Sequence, residues 1–236
     1  MARWGRAMRM LPPPPARILD AGCAFGFLTR RLARRYPEVV GIDLDAGYVA
    51  RARAACPDSD IRLGPVDRLP WPDAAVDAAV CLDVLEHVPD PRATLAELAR
   101  VIRPGGTLVL SVPQRGLFAA ADSLNLYARL RPGADPPTDD PSWAGSPHHR
   151  HFSAAELSGL LAPWFTVERV HRSGLGVAEL VNLPLLLATR GVSARLRPVY
   201  AVLQYLYFAV YVVEDMVSLG DAGYHLMLRA RRAAAG

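Results

Sequence analysis

Residues Ile18 to Ala33 read ILDAGCAFGFLTRRLA: an apolar run, a corner bearing two glycines, then a helical pattern. The run closes at Asp20, and Gly22-Cys23-Ala24-Phe25-Gly26 turns the chain. Glycine lets bare backbone approach a ligand, and the N–H groups at the start of the next helix face whatever sits in the corner. Such corners also occur for packing reasons alone, so the surroundings must decide what this one holds.

Working outward, residues 17–113 alternate between two periods. ARILDAG, VVGIDLD, DIRLGPV, VDAAVCLDV and TLVLSVP read as strands, with helices from about Phe25, after Ala46 and from Pro91. This alternation predicts an α/β, Rossmann-like fold, a mostly parallel sheet with helices on both faces. Asp90-Pro91 supplies an N-cap and a first-turn proline. Leu95, Leu98, Val101 and Ile102 follow at helical spacing, and Pro104-Gly105-Gly106 is expected to end that helix before the next strand.

Beyond Pro113 the pattern loosens. From Gln114 to Arg150 the composition turns to Pro, Gly, Asp and Ser around RPGADPPTDDPSWAGSP, a loop excursion with one short helix near Leu124. HFSAAELSGLL resumes as a helix with a Ser153/Glu156 capping box, FTVERVH follows as a strand, and GYHLMLRARR closes as another. Between those last strands lies Leu175 to Leu219, with AELVNLPLLLA and PVYAVLQYLYFAVYVV. Its uncharged run from Pro198 to Val213 is interrupted by Gln204 and is shorter than the roughly 20 residues that span a bilayer. A helix lying in the membrane interface, a pair of buried helices and a dimer contact all suit it. For the interface reading, Tyr200, Tyr205, Tyr207, Phe208 and Tyr211 would sit at headgroup level, with Arg190, Arg195 and Arg197 meeting anionic lipid.

Composition narrows the function. At 236 residues and 51% hydrophobic content the chain can bury a sizeable core. Length favours one domain over residues 1–236, with 1–16 as an N-terminal lid or solvated tail, 17–113 as the core, 114–151 as the excursion and 175–219 as an inserted hydrophobic segment. The net charge of +4 is weak support for a nucleic-acid partner, and there is neither an N-P-P-Y-like tetrad nor a basic stripe with interleaved aromatics. Every basic residue other than histidine is arginine, which excludes a Schiff-base or lysine general-base mechanism. Cys23, Cys56 and Cys81 suit neither a disulfide framework nor a zinc site, so a reducing cytoplasm is expected. Pro12 to Pro15 fall where a secretion signal would need its apolar stretch, so no cleaved signal is expected. His148, His149 and His151 form a cluster with no nearby cysteine or clear carboxylate, and no metal is assigned to it.

Two cofactor classes use a corner like Gly22 to Gly26. Dinucleotide folds want G-x-G-x-x-G, but counting from Gly22 the later glycine positions hold Ala24 and Phe27. Asp43 ends the second strand about 20 residues on, where a carboxylate can accept from both hydroxyls of a free ribose. The corner resembles D-x-G-x-G-x-G, the first motif of class I S-adenosylmethionine-dependent methyltransferases, with Ala24 at the middle glycine. The run VDRLPWPDAAVDAAVCLDVLEHVPDPRATLAELARVIRPGGTLVLSVP is similar to the ubiquinone/menaquinone-biosynthesis-like (type 11) members of that class. The resemblance covers about Arg17 to Pro113, with an echo in RHFSAAELSGLL.

That resemblance implies a seven-stranded sheet whose last strand is antiparallel, with both the excursion and the insertion starting at the active-site edge and covering an acceptor pocket. It implies S-adenosyl-L-methionine as cofactor, held by Asp20, Gly22, Cys23, Ala24, Gly26, Asp43, Leu44, Val66, Asp67 and Leu82. In the family a G-D-A-E-x-L-P-F stretch contacts adenine; aligned on Leu69-Pro70, Pro65 stands at its Asp and Asp67 at its Glu, leaving the Val66 amide as a second contact. It puts Glu86-His87 beside the transferred methyl, with His87 and His151 as candidate bases and structural packing as the alternative for Glu86. The expected activity is O- or C-methylation of a small, lipophilic or lipid acceptor, in the cytoplasm or at the inner face of the membrane. The rival is a non-catalytic module of the same fold that recruits a partner or membrane through its hydrophobic insertion.

Overall fold

The computed structural model describes residues 2–116, 119–120, 122–130, 150–190, 209–217 and 223–234. Strands β1 (Arg17–Ala21), β2 (Glu38–Asp43), β3 (Asp60–Leu63), β4 (Val76–Leu82), β5 (Ile102–Pro113), β6 (Phe165–Ser173) and β7 (His225–Arg232) form one sheet in the order β3-β2-β1-β4-β5-β7-β6. The first five pair in parallel, and β7 runs antiparallel between β5 and β6. This is the α/β class that the alternation implies. Successive strands step outward from β1 in one direction to β3 and in the other from β4 to β5, so the order reverses between β1 and β4. Open α/β sheets bind ligands beyond the carboxyl ends of the strands at such a reversal.

Period-two side-chain alternation splits the core across the sheet. Leu19, Ala79, Cys81, Leu108, Leu110, Leu226 and Leu228 lie on one face with Leu95 and Leu98 of helix α4 (Pro91–Val101) and Leu157 and Leu161 of α6 (Ala154–Leu161). Ile18, Ala78, Val80, Val109 and Met227 lie on the other, under Ala7 and Met10 of α1 (Ala2–Met10) and Leu28 and Leu32 of α2 (Phe27–Ala33). The N-terminal segment is therefore a packed helix, and the Tyr36 hydroxyl ties its exit down by donating to the Pro12 carbonyl at 2.7 Å. Each fully buried Leu or Val contributes about 1.5–3 kcal/mol relative to exposure.

Helix α3 (Ala46–Ala55) is capped by Asp45, whose side chain accepts from the Tyr48 amide, and α6 carries the expected Ser153/Glu156 capping box. The excursion contains α5 (Ser123–Leu130), near the helix expected at Leu124. Between β6 and β7 lie α7 (Val177–Arg190) and helical residues 209–214; residues 191–208 of the inserted segment, with Tyr200 to Phe208, and 218–219 fall outside the described residues.

The turn Arg103-Pro104-Gly105-Gly106 departs from expectation. It does not precede the strand but lies inside β5, because the pairing with β4 jumps from Val76 opposite Ile102 to Ala78 opposite Thr107. The extra residues bulge out, helped by Gly105 at φ 73. A Cβ on Gly106 would lie 2.5 Å from Ile102 Cγ2 and 2.7 Å from the Asp77 carbonyl, whereas one on Gly105 meets nothing within 4 Å. Gly106→Ala should thus cost about 2–3 kcal/mol by overpacking against backbone, and Gly105→Ala about 1–2 kcal/mol from its left-handed φ. Urea unfolding of the two variants measures the difference.

Candidate functional site

Strand β1 delivers the chain to Gly22, which turns at φ 79. A Cβ there would sit 2.2 Å from Val84 Cγ2, so the corner closes against the residue after β4 only with glycine. The Gly22 and Cys23 amides donate to the Ile42 carbonyl at 2.9 and 3.0 Å, and the Gly26 amide donates to the Cys23 carbonyl at 2.9 Å. Ala24, itself left-handed at φ 44, donates its amide to Asp43 Oδ2 at 2.8 Å. Phosphate-binding corners work by pointing such amides at an anion. Here the amides of Gly22, Cys23, Ala24 and Gly26 are engaged within the protein, which suits a nucleoside ligand without phosphate better than a dinucleotide.

The corner opens onto a crevice of about 340 Å³ at the sheet reversal. Gly22, Ala24, Asp43 and Leu44 line it from β1 and β2, Val66 and Asp67 from the segment after β3, and Leu82, Asp83 and His87 from the end of β4. Tyr48 of α3 closes it from outside, and Phe25 stacks on Tyr48 with ring centroids 4.4 Å apart. Asp43 also accepts from the Asp45 amide at 3.0 Å, so its carboxylate is aimed before any ligand arrives.

Three other candidates stand behind this surface. Asp20 is buried and accepts a 2.7 Å hydrogen bond from the Thr29 hydroxyl. Loss of hydration, reinforced by the nearby Asp43 charge, raises its pKa to about 6 against the Thr29 hydrogen bond. Cys23 packs with Val49, Ala52, Cys56 and Ile61, and burial first, then the Asp20 and Asp43 charges, push its thiol up and keep it protonated. Gly26 starts α2 at φ 75, where a Cβ would meet Ala52 Cα at 3.0 Å. These residues shape the corner from its far side and do not line the crevice.

A second cavity of about 140 Å³ adjoins the first, and Asp83 and His87 line both. Asp83 leaves β4 at φ 56, with Oδ1 accepting from the Ser111 hydroxyl at 2.9 Å and Oδ2 in an ion pair with the buried Arg3 guanidinium of α1. Arg3 also lies 4.7 Å over the Tyr211 ring and 3.4 Å from His225 Nε2. Tyr211, which the sequence left open between a membrane interface, a buried helix pair and a dimer contact, is a wall of this chamber, where it meets Arg3 and His225. Sequence reasoning missed Arg3, Asp83, Tyr224 and His225. Asp83 lay in plain view at the strand end in LDVLEHV, and β7 carried a topological signal. An antiparallel last strand begins at the edge where parallel strands end, and His225 sits opposite both Pro113 and Ser173, the last residues of β5 and β6.

His151, the second candidate base, lines neither cavity. The Phe152 amide donates to the Pro113 carbonyl and draws this segment along the end of β5, leaving His151 3.2 Å from buried Asp122 and facing a separate groove with Arg92, Arg115 and Glu156. His148 and His149 fall outside the described residues, among which no cluster of metal-ligating side chains occurs.

Residues 19–110 match a family described as a methyltransferase domain. The chain is 38% identical over 167 residues to a probable S-adenosylmethionine-dependent methyltransferase of Mycolicibacterium smegmatis, covering 69% of this chain and 58% of that protein. It is 36% identical over 160 residues to a ubiquinone biosynthesis O-methyltransferase of Xanthomonas axonopodis pv. citri, covering 64% and 62%. The chain thus spans less than two thirds of the length of either relative. Among solved structures, an S-adenosylmethionine-dependent methyltransferase from Mesorhizobium loti superposes with a TM-score of 0.62 at 23% identity, covering 98% of both chains. A 4+2 cyclase superposes with a TM-score of 0.67 at 20% identity over 99% of this chain and 81% of its own, so the shared fold alone does not assign a reaction.

The raised Asp20 pKa has a sign that can be checked. The folded state holds this proton up to about pH 6, against an ordinary value of 3.8, so the contribution to stability is full below about pH 4 and lost as pH rises through 6. The loss amounts to about 3 kcal/mol. Asp20→Asn, which keeps an oxygen for Thr29, should gain on the parent between pH 4 and 6 and hold a constant margin above; urea midpoints across that range measure it.

Proposed function

We propose, from the premise that residues 19–110 are a methyltransferase domain of the class I type 11 family, that this chain transfers a methyl group to a small acceptor. The observation that carries the reading is the crevice at the strand reversal, where a carboxylate on β2 faces a glycine corner whose amides are engaged internally. S-Adenosylmethionine, the cofactor of that family, supplies an activated methyl on a sulfonium, so the protein's task is chiefly alignment. Asp43 would hold the ribose, Leu44, Val66 and Asp67 the base, and Gly22 and Ala24 the methionine end. Asp20 supports the corner from behind.

The acceptor enters the adjoining chamber. His87 stands on the wall common to both cavities and would take the proton of a hydroxyl acceptor. For an activated ring carbon, orientation by the chamber walls suffices. Glu86, fully buried beside it, also lines the chamber.

Contact with a membrane surface completes the reading. No helix among the described residues is long and apolar enough to cross a bilayer. Leu180 is 61% exposed, Val213 65% and Met216 70%. Glu214 joins their two segments by accepting from the Val177 and Ala178 amides, which supports one apolar surface beside the chamber. The protein should float with anionic phosphatidylglycerol vesicles, and Leu180→Glu/Met216→Glu should sediment; a parent that does not float would remove the membrane from the proposal.

Calorimetric titration tests the cofactor site directly. The parent should bind S-adenosylmethionine and S-adenosylhomocysteine, and Asp43→Ala should weaken both by about 100-fold, since charge-assisted hydrogen bonds contribute about 1.5–3 kcal/mol each. Absence of binding by the folded parent would defeat the assignment.

A further inference from the structure

Resting on that reading, we infer that the chamber admits the acceptor's reacting end as a hydrogen-bond donor, a hydroxyl or an amine, and rejects both anionic and purely aliphatic heads. The inference comes from the balance of groups on its walls. Among the described lining residues, Asp83, Glu86 and Glu179 bring three carboxylates, and Arg3 is the one guanidinium. That cation is committed: it pairs with Asp83, lies over the Tyr211 ring and borders His225. An acceptor carrying a carboxylate or phosphate would have to displace Asp83 from Arg3 and then lie against Glu86 and Glu179, at a low-dielectric site where like charges repel strongly.

The remaining walls are polar as well. Glu179 accepts from the Ser123 amide and hydroxyl at 3.2 and 2.5 Å, and the same hydroxyl accepts from Asn182 Nδ2 at 2.8 Å. Glu179 and Asn182 are 7% and 8% exposed, so the network is built into the protein. An alkyl chain would offer no partner to the acceptor oxygens that these walls turn to the cavity, whereas a donor head hydrogen-bonds them. Sites of this kind reject an analogue lacking the hydrogen-bonding group by about 10⁴-fold. At about 140 Å³ the space fits one substituted six-membered ring or four to five waters, the latter at about 30 Å³ each. A lipophilic acceptor, as the sequence suggested, would thus present a small polar head here and keep its apolar part outside.

Ligand-observed saturation-transfer NMR tests this on the full chain saturated with S-adenosylhomocysteine, using four probes of one ring size: catechol, benzylamine, benzoate and toluene. Catechol and benzylamine should show transfer and benzoate and toluene none, with the first two separating a hydroxyl from an amine. Glu86→Gln and Glu179→Gln should weaken benzylamine by at least about tenfold and catechol far less, since only the cation loses a charge partner. Benzoate or toluene binding as well as either donor, no probe binding, or donor binding untouched by both variants would each overturn the inference. S-Adenosylhomocysteine binding is measured first: its failure strikes the methyltransferase reading, whereas a reversed probe order with the nucleoside bound strikes only this one.

Discussion

The joint between the corner after β1 and the end of β2 governs the site. Gly22 and Cys23 hang their amides on the Ile42 carbonyl, and Ala24 hangs its amide on the Asp43 carboxylate. These bonds cross from one strand end to its neighbour, so the floor of the crevice and its carboxylate are set as a unit. The constraint is steric too: the corner reaches its place only because Gly22 has no side chain to strike Val84. A joint satisfied by the protein's own groups needs no anion to complete it, and that separates this corner from the phosphate-gripping kind with a similar outline.

Around the joint the protein divides its labour by origin. The crevice is made by residues between Gly22 and Pro89, within the segment that matches the family. The adjoining chamber is walled largely by parts outside it: α1 through Arg3, α5 through Leu124, α7 through Glu179 and Asn182, and the approach to β7 through Tyr211, Tyr224 and His225. Asp83 and His87 are the hinge between the two, reaching both from the end of β4.

Burial sets the electrostatics of both halves. Asp20 is kept half-protonated near pH 6 because it sits under the corner with a hydroxyl in place of water. The Cys23 and Cys81 thiols are held protonated by the same loss of hydration. The buried Arg3 guanidinium, by contrast, has its burial offset by Asp83 and by the Tyr211 ring. Chemistry is thus left to the groups that open onto the cavities.

Elements written by local rules were legible in the chain: the parallel core from its alternating periods, α4 from Asp90-Pro91, the Ser153/Glu156 box, the corner and Asp43. Where two strands had to meet, local reading failed, as at Arg103 to Gly106, which reads as a stop but is taken up as a bulge by the register of β4 against β5. The facing of His151 and Tyr211 was not legible for a related reason. Each sits at the right edge of the sheet, but pairing with Asp122 or contact with Arg3 and His225 decides which way it faces. The sequence by itself determined the fold class and part of the crevice wall, Gly22, Ala24 and Asp43 among it, because hydrophobic period, glycine geometry and strand-end carboxylates act over a few neighbouring residues. The adjoining chamber was decided by tertiary structure alone, since Arg3, Asp83, Glu179 and His225 are brought together only when α1, α7 and β7 pack on the same edge.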